Sequence, residues 1–238
     1  MATKSLLKIV QTVASELNLP QPTVVVSSQD QNVLKLLAMV RAVCDDLLLE
    51  YDWELLQTRY VLTTVSGQGS YPFPTDIERF INGTFFDTTN RWPLRGPLTP
   101  TAYEMLLTTN LQTSPFERYR VWNGEVTFYP TPGAKPLTLV YEYITNNVIV
   151  DGSTGAAKPD FTQDSDYPVF DYRLLVYGAK LKWLAAEGFD TTAAVVDFNR
   201  TLERVKSTDA PAPRLSLAGT PTFPMLSTAN IPDGNWVT

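Results

Sequence analysis

Between Gln29 and Tyr51 the apolar residues Val33, Leu36, Leu37, Val40, Cys44, Leu47, Leu48 and Tyr51 recur at helical spacing, and directly afterwards that spacing is lost. "TRYVLTTV" (58–65) and "RFINGTFFD" (79–87) are rich in β-branched and aromatic residues and read as strands. Helical spacing returns with Phe170, Leu174, Tyr177, Leu181 and Leu184, and again with Val195, Phe198, Leu202 and Val205 on a helix of about Thr191 to Ser207. A helical stripe is buried by other helices, whereas a strand needs a neighbour for its backbone. Two changes of period therefore predict an α+β fold. Segments 1–56 and 167–209 form a helical bundle, 57–166 is an inserted, mainly antiparallel β unit with one short helix, and 210–238 is an extended, Pro-rich C-terminal arm.

Local signals fill in this plan. Leu6, Val10, Val13 and Leu17 mark a first helix, capped by Thr3 and ended by Asn18 and Pro20. Ser28 and Gln31 have capping-box spacing for the long second helix. Pro72 and Pro74 predict a stiff, extended connector that leaves Tyr71 and Phe73 free to pack, with Thr75 or Asp76 starting a turn. Thr99-Pro100 opens a short helix, with Glu104 three residues after Thr101 and Tyr103, Leu106 and Leu107 facing the sheet. Asn123-Gly124, inside "ERYRVWNGEVTFYP", is the preferred two-residue hairpin turn, and "PLTLVYEYI" (136–144) is the next strand. Residues 145–166 read as a long polar loop, Asp166 as a helix cap before Pro168, and Gly188 as a helix stop.

The chemistry available is narrow. No histidine occurs in the 238 residues, which removes Ser-His-Asp and Cys-His catalysis, His-ligated metals and the usual general base near neutral pH. The one cysteine, Cys44, rules out an intrachain disulfide and reads as a small buried hydrophobe. A net charge of −6 is unlike that of a free, nonspecific DNA binder, whose affinity comes from neutralising phosphates. "MATKSLLKIVQTVASELNLP" has helical spacing rather than a signal-peptide core, and no run reaches the ~20 apolar residues of a membrane span. These features predict a soluble protein of a reducing compartment, in which Asn82-Gly-Thr and Asn199-Arg-Thr are chance sequons.

Four groups of residues are candidates for function. Asp45, Asp46, Glu50, Asp52 and Glu54 could hold a glycosidase pair, or be the polar complement of the helix stripe. Asp151, Asp160, Asp164 and Asp166 could hold a cation, but lack the ligand spacing and fixed glycine of a calcium loop. Arg118 and Arg120, with Arg91 and Arg95 nearby, read either as a basic spot for phosphate or an acidic partner, or as charge on the solvent face of a strand. The tryptophans and tyrosines could stack on sugars, or pack cores and subunit interfaces. Gly67-Gln-Gly69 lacks the third glycine and the lysine of a phosphate loop. No catalytic, metal-ligating or cofactor-binding residue is expected, and so no enzyme.

The arm is apolar despite prolines at 211, 213, 221, 224 and 232. Those prolines forbid a helix or a central strand, so Leu217, Phe223, Met225, Ile231 and Trp236 are expected to dock on a neighbouring subunit or a partner.

The order of two helices, "YDWELL", a strand, "YPFPTDIERFINGTFFDTTNRWPL", a short helix after "PLTP", and "YRVWNGEVTFYPTPGAKPLTLVYEY" resembles head-to-tail adaptors of tailed bacteriophages, especially the tail-tubular-A-like adaptors of short-tailed phages. The resemblance spans about Ala38 to Phe198. It implies a homo-oligomeric ring, commonly dodecameric, docked under the portal in the virion. Such a ring extends the DNA channel without sequence-specific binding and carries the tail nozzle or tail tube. A carbohydrate-binding or glycosidase-like module of a phage tail is the alternative, argued from the aromatics and carboxylates.

Overall fold

The computed structural model describes residues 3–109, 118–133 and 135–209. Its helices are α1 (Leu6–Glu16), α2 (Gln31–Glu50), α3 (Pro100–Thr109), α4 (Tyr172–Ala186) and α5 (Thr192–Asp209). Its strands are β1 (Gln57–Thr63), β2 (Ser70–Pro72), β3 (Ile77–Phe80), β4 (Phe86–Asp87), β5 (Trp92–Pro93), β6 (Arg118–Trp122), β7 (Glu125–Tyr129), β8 (Thr138–Thr145), β9 (Ile149–Val150), β10 (Ala157–Lys158) and β11 (Tyr167–Pro168). Helices and antiparallel strand pairings together make the α+β fold that the changes of period predict.

α4 is the centre of the helical part and packs against α1, α2 and α5. Its Leu174, Leu175 and Ala179 are buried with Leu6, Ile9 and Val13 of α1 and Leu36, Val40 and Leu47 of α2. The closest approach is at Gly178. A Cβ there would lie 2.7 Å and 2.9 Å from the two Val43 methyls and 3.2 Å from a Phe198 ring carbon. Gly178→Val is therefore expected to lower stability by roughly 2 kcal/mol, because overpacking outweighs the helix propensity it gains. Thermal unfolding is the check; an unchanged or raised Tm would show that α2 and α4 have slack there.

Helix starts differ from the sequence reading in an instructive way. In α1 neither Thr3 nor Ser5 caps with its side chain; the Leu6 and Leu7 N–H groups donate to the Asp166 and Asp164 carbonyls, 2.7 and 3.2 Å away. In α2 the cap is Asp30, which accepts from the Asn32 N–H, while Ser28 accepts from the Asp30 N–H. In α4 the cap is Asp171, and Pro168 lies in β11 opposite Ile149. Asp166 is not a helix cap, because its buried carboxylate is used by the preceding loop. In α3 Thr99 caps Ala102, and of its expected inward residues Leu106 is buried whereas Leu107 is exposed.

β8 is the organising strand, paired with β1, β3 and β4. β2, β7 and β6 form a second sheet. Residues of both sheets share a core that is largely aromatic: Tyr71, Phe85, Tyr119, Phe128, Tyr141 and Tyr143. Phe85 sits at its centre, 4.5 Å from the Tyr119 ring, 4.6 Å from Tyr141 and 5.8 Å from Phe128. Phe73 packs on Phe80 and Tyr141, and Pro72 sits on β2 at the sheet edge, where a missing N–H is tolerated. The stretch 79–87 is two strands rather than one. Gly83 has a positive φ of 79°, and the chain turns at Asn82-Gly83 before β4 returns to β8.

Residues 145–166 are more ordered than a polar loop. β9 pairs with β10 and β11, and Val148, Ile149 and Phe161 are buried with the helices, whose apolar faces they complete.

Candidate functional site

Three carboxylates near the end of α2 each meet a cation of a different element. Asp46 pairs with Lys182 at 2.7 Å, Glu50 with Lys206 at 3.0 Å and Asp52 with Arg79 at 2.9 Å. Asp46 and Glu50 tie α2 to α4 and α5, and Asp52, just past α2, reaches β3. The Glu54 N–H donates to Asp209 at 2.8 Å, so the end of α5 is pinned beside the start of β1.

The loop carboxylates are occupied by backbone. Asp164 accepts from the Val25 and Val26 N–H groups, joining the α1–α2 connection to a segment some 139 residues away. Asp160 pairs with Arg41 at 2.8 Å. Asp166 is fully buried and accepts from the Gly152, Thr162 and Gln163 N–H groups and from the Lys158 ammonium at 2.8 Å. Lys158 also reaches Asp151 at 3.0 Å, and Asp151 accepts from the Ser153 and Thr154 N–H groups. Burial pushes the Asp166 carboxyl up, but Lys158 and the three N–H donors outweigh it and hold it below the usual range. Asp151 is held low by the Thr154 and Ser153 N–H groups and then by Lys158. For Lys158, burial acts downward and the two carboxylates more than reverse it, so the ammonium is raised.

Cys44 lines a cavity of about 250 Å³ with Arg41, Asp45, Val148, Ile149, Asp160 and Phe161. Burial pushes its thiol up, far from the thiolate form that a nucleophile needs.

Of the expected basic spot, the structure assembles one part that sequence spacing did not reveal. Arg120 on β6 lies over two rings, its guanidinium carbon 5.1 Å from the Tyr103 centroid and 5.0 Å from that of Trp122. Trp122, just before the hairpin turn, is 66% exposed. Alternation along β6 places Arg120 and Trp122 on one face; what the sequence hides is that α3 lays Tyr103 across it. The turn itself is as expected, with Asn123 and Gly124 at φ 52° and 75°. Gly124→Val forces a β-branched residue to positive φ, at an expected cost of roughly 1–2 kcal/mol. Loss of amide protection in β6 and β7 ahead of α2 and α4 is the signature to seek.

Trp53, by contrast, packs inside. It donates to the Leu47 carbonyl at 2.6 Å and meets Tyr51 and Phe170 edge-on. The expected partner-binding residues Leu217, Phe223, Met225, Ile231 and Trp236 lie outside the described residues. Among the described residues no helix is long and apolar enough to cross a membrane.

Helices gathered on α4, an aromatic-cored pair of sheets and an Arg-Trp-Tyr cluster define this α+β protein. The chain belongs to the SU10 adaptor protein family, whose model matches residues 4–219, and is thus a phage adaptor-type protein. Comparison with curated proteins gave no match.

Proposed function

We propose that this adaptor forms a homo-oligomeric ring under the portal at the head-to-tail junction of the virion, after synthesis in the host cytoplasm. The ring extends the DNA channel and gives the tail nozzle or tail-tube protein its platform, in the manner of the tail-tubular-A-like adaptors of short-tailed phages. The family match over 4–219 carries this reading. Three features support it. Large apolar side chains are exposed on both parts of the molecule, Phe189 and Val196 beside and on α5, and Met105 and Trp122 on the β part. Asp209, at the end of α5, holds Glu54 at the junction of the two parts, so the segment that follows it starts beside both; in this reading its Leu217, Phe223, Met225, Ile231 and Trp236 dock on a neighbouring subunit or the portal. The net charge of −6 suits a channel wall past which DNA slides without being held. The protein is not an enzyme in this reading, and it needs neither metal nor cofactor.

Native mass spectrometry and particle imaging of the purified chain, alone and mixed with its portal protein, test the proposal. A closed ring, formed alone or on the portal, is the expected result; a monomer under both conditions overturns it. Deleting 212–238 is expected to keep the helical circular dichroism and weaken attachment to the portal.

A further inference from the structure

We infer that the outer face of the β2–β7–β6 sheet is a subsite for a carboxylate side chain borne by an acidic segment of a partner protein. This rests on the adaptor reading only in naming a protein as the bearer of the carboxylate. Ser70, Thr127 and Arg120 form one cross-strand row on this face, and Pro72, Glu125 and Trp122 the next. The first row, Tyr103 and the hairpin tip enclose a cavity of about 200 Å³.

Arg120 is prepared for such a ligand. Two rings lie within 5.1 Å of its guanidinium carbon, and such contacts restrict the side chain before anything binds. Among the described residues no carboxylate forms an ion pair with it. Ring contacts of this kind do not use up the guanidinium N–H donors, which match a carboxylate in a two-bond fork. The remaining walls add donors. Ser70 and Thr127 share one hydrogen bond at 3.0 Å, which leaves one hydroxyl hydrogen for a ligand, and Asn123 brings an amide. The exposed Trp122 ring beside the cavity covers the backbone or aliphatic stem of the visiting segment. Tryptophan, tyrosine and arginine are also the residues that carry most binding energy at protein interfaces. A nucleic acid fits less well: it calls for a long basic stripe, and among the described residues lining this cavity Arg120 is the single cation, enough for one carboxylate.

The test uses the full chain labelled with 5-fluorotryptophan. Its five tryptophans give separate fluorine resonances, and Trp122→Phe identifies the relevant one. Hexaglutamate is titrated beside hexalysine, maltohexaose and a ten-residue oligothymidylate. Hexaglutamate is expected to shift the Trp122 resonance. Arg120→Lys, which keeps the charge but loses the fork, is expected to weaken binding about ten-fold. Glu125→Gln, which removes the like charge, is expected to tighten it. No shift with hexaglutamate, an undiminished response in Arg120→Lys, weaker binding in Glu125→Gln, or stronger binding of the oligonucleotide or the sugar overturns the proposal. Because the titration needs neither ring nor portal, its failure is distinct from a failure of the adaptor reading.

Discussion

Phe85→Ala is expected to cost about 3–5 kcal/mol, the usual range for deleting a buried aromatic ring. Phe85 is 1% exposed and touches aromatic rings from both sheets, so its removal opens a cavity where they meet. The loss should be local first. The aromatic core and the helical core are separate sets of buried residues, linked through β8, whose Tyr141 and Tyr143 lie in one and Ile144 in the other. Hydrogen exchange on the variant should show β1, β7 and β8 opening while amides of α2 and α4 stay protected. Equal loosening of all these elements would mean that the two cores act as one cooperative unit.

Asp166→Asn comes next, at roughly 1–3 kcal/mol, because it removes the fully buried partner of Lys158 and leaves that ammonium with Asp151 alone. Sterically the change is slight, but the donor count is against it. Asp166 receives three backbone N–H groups and Lys158, and an amide would turn one NH₂ group towards these donors. The pH dependence follows from the directions of the shifts. Asp166 and Asp151 are depressed, so their stabilisation is present above their ordinary value of ~4 and is lost as pH falls through their lowered values. Lys158 is raised, so its contribution is complete below ~10.4 and is lost as pH rises through its own value. The wild type should therefore weaken steeply in acid and in strong alkali, and Asp166→Asn should be less stable at neutral pH with a shallower acid limb. Tm measured at pH 3, 5, 7 and 11 checks both; a variant with the wild-type profile would show that the Asp166–Lys158 pair contributes nothing.

Much of the fold was legible because it is periodic. The stripe from Val33 to Leu48 needs one buried side of a helix, and α2 supplies it. The Asn123-Gly124 turn was legible because so few residues take two successive positive φ angles. What escaped depends on contacts distant in sequence. Asp166 resembles a helix cap by position, and only the fold shows that Lys158 and three N–H groups use its carboxylate. α1 looked in need of a side-chain cap, but carbonyls from residues 164 and 166 satisfy it. The Asn82-Gly83 turn carried the same signal as the hairpin and was overridden by the β-rich residues around it. At the candidate site, strand alternation placed Arg118 and Arg120 together, whereas the Tyr103 contact depends on where α3 lies.

The central place of α4 has a consequence for the nascent chain on the ribosome. α1 and α2 are made first, but the helix that covers them begins at Tyr172, after the whole β part has been translated. At ~5–20 residues per second, the apolar stripe of α2 waits on the order of ten seconds for its partner. The aromatic-cored sheets, whose strands lie within 57–145, have all their pieces earlier and can close ahead of the bundle. This chain thus emerges with its first-made helices as its last-settled part, in the interval when a holdase chaperone has most to grip.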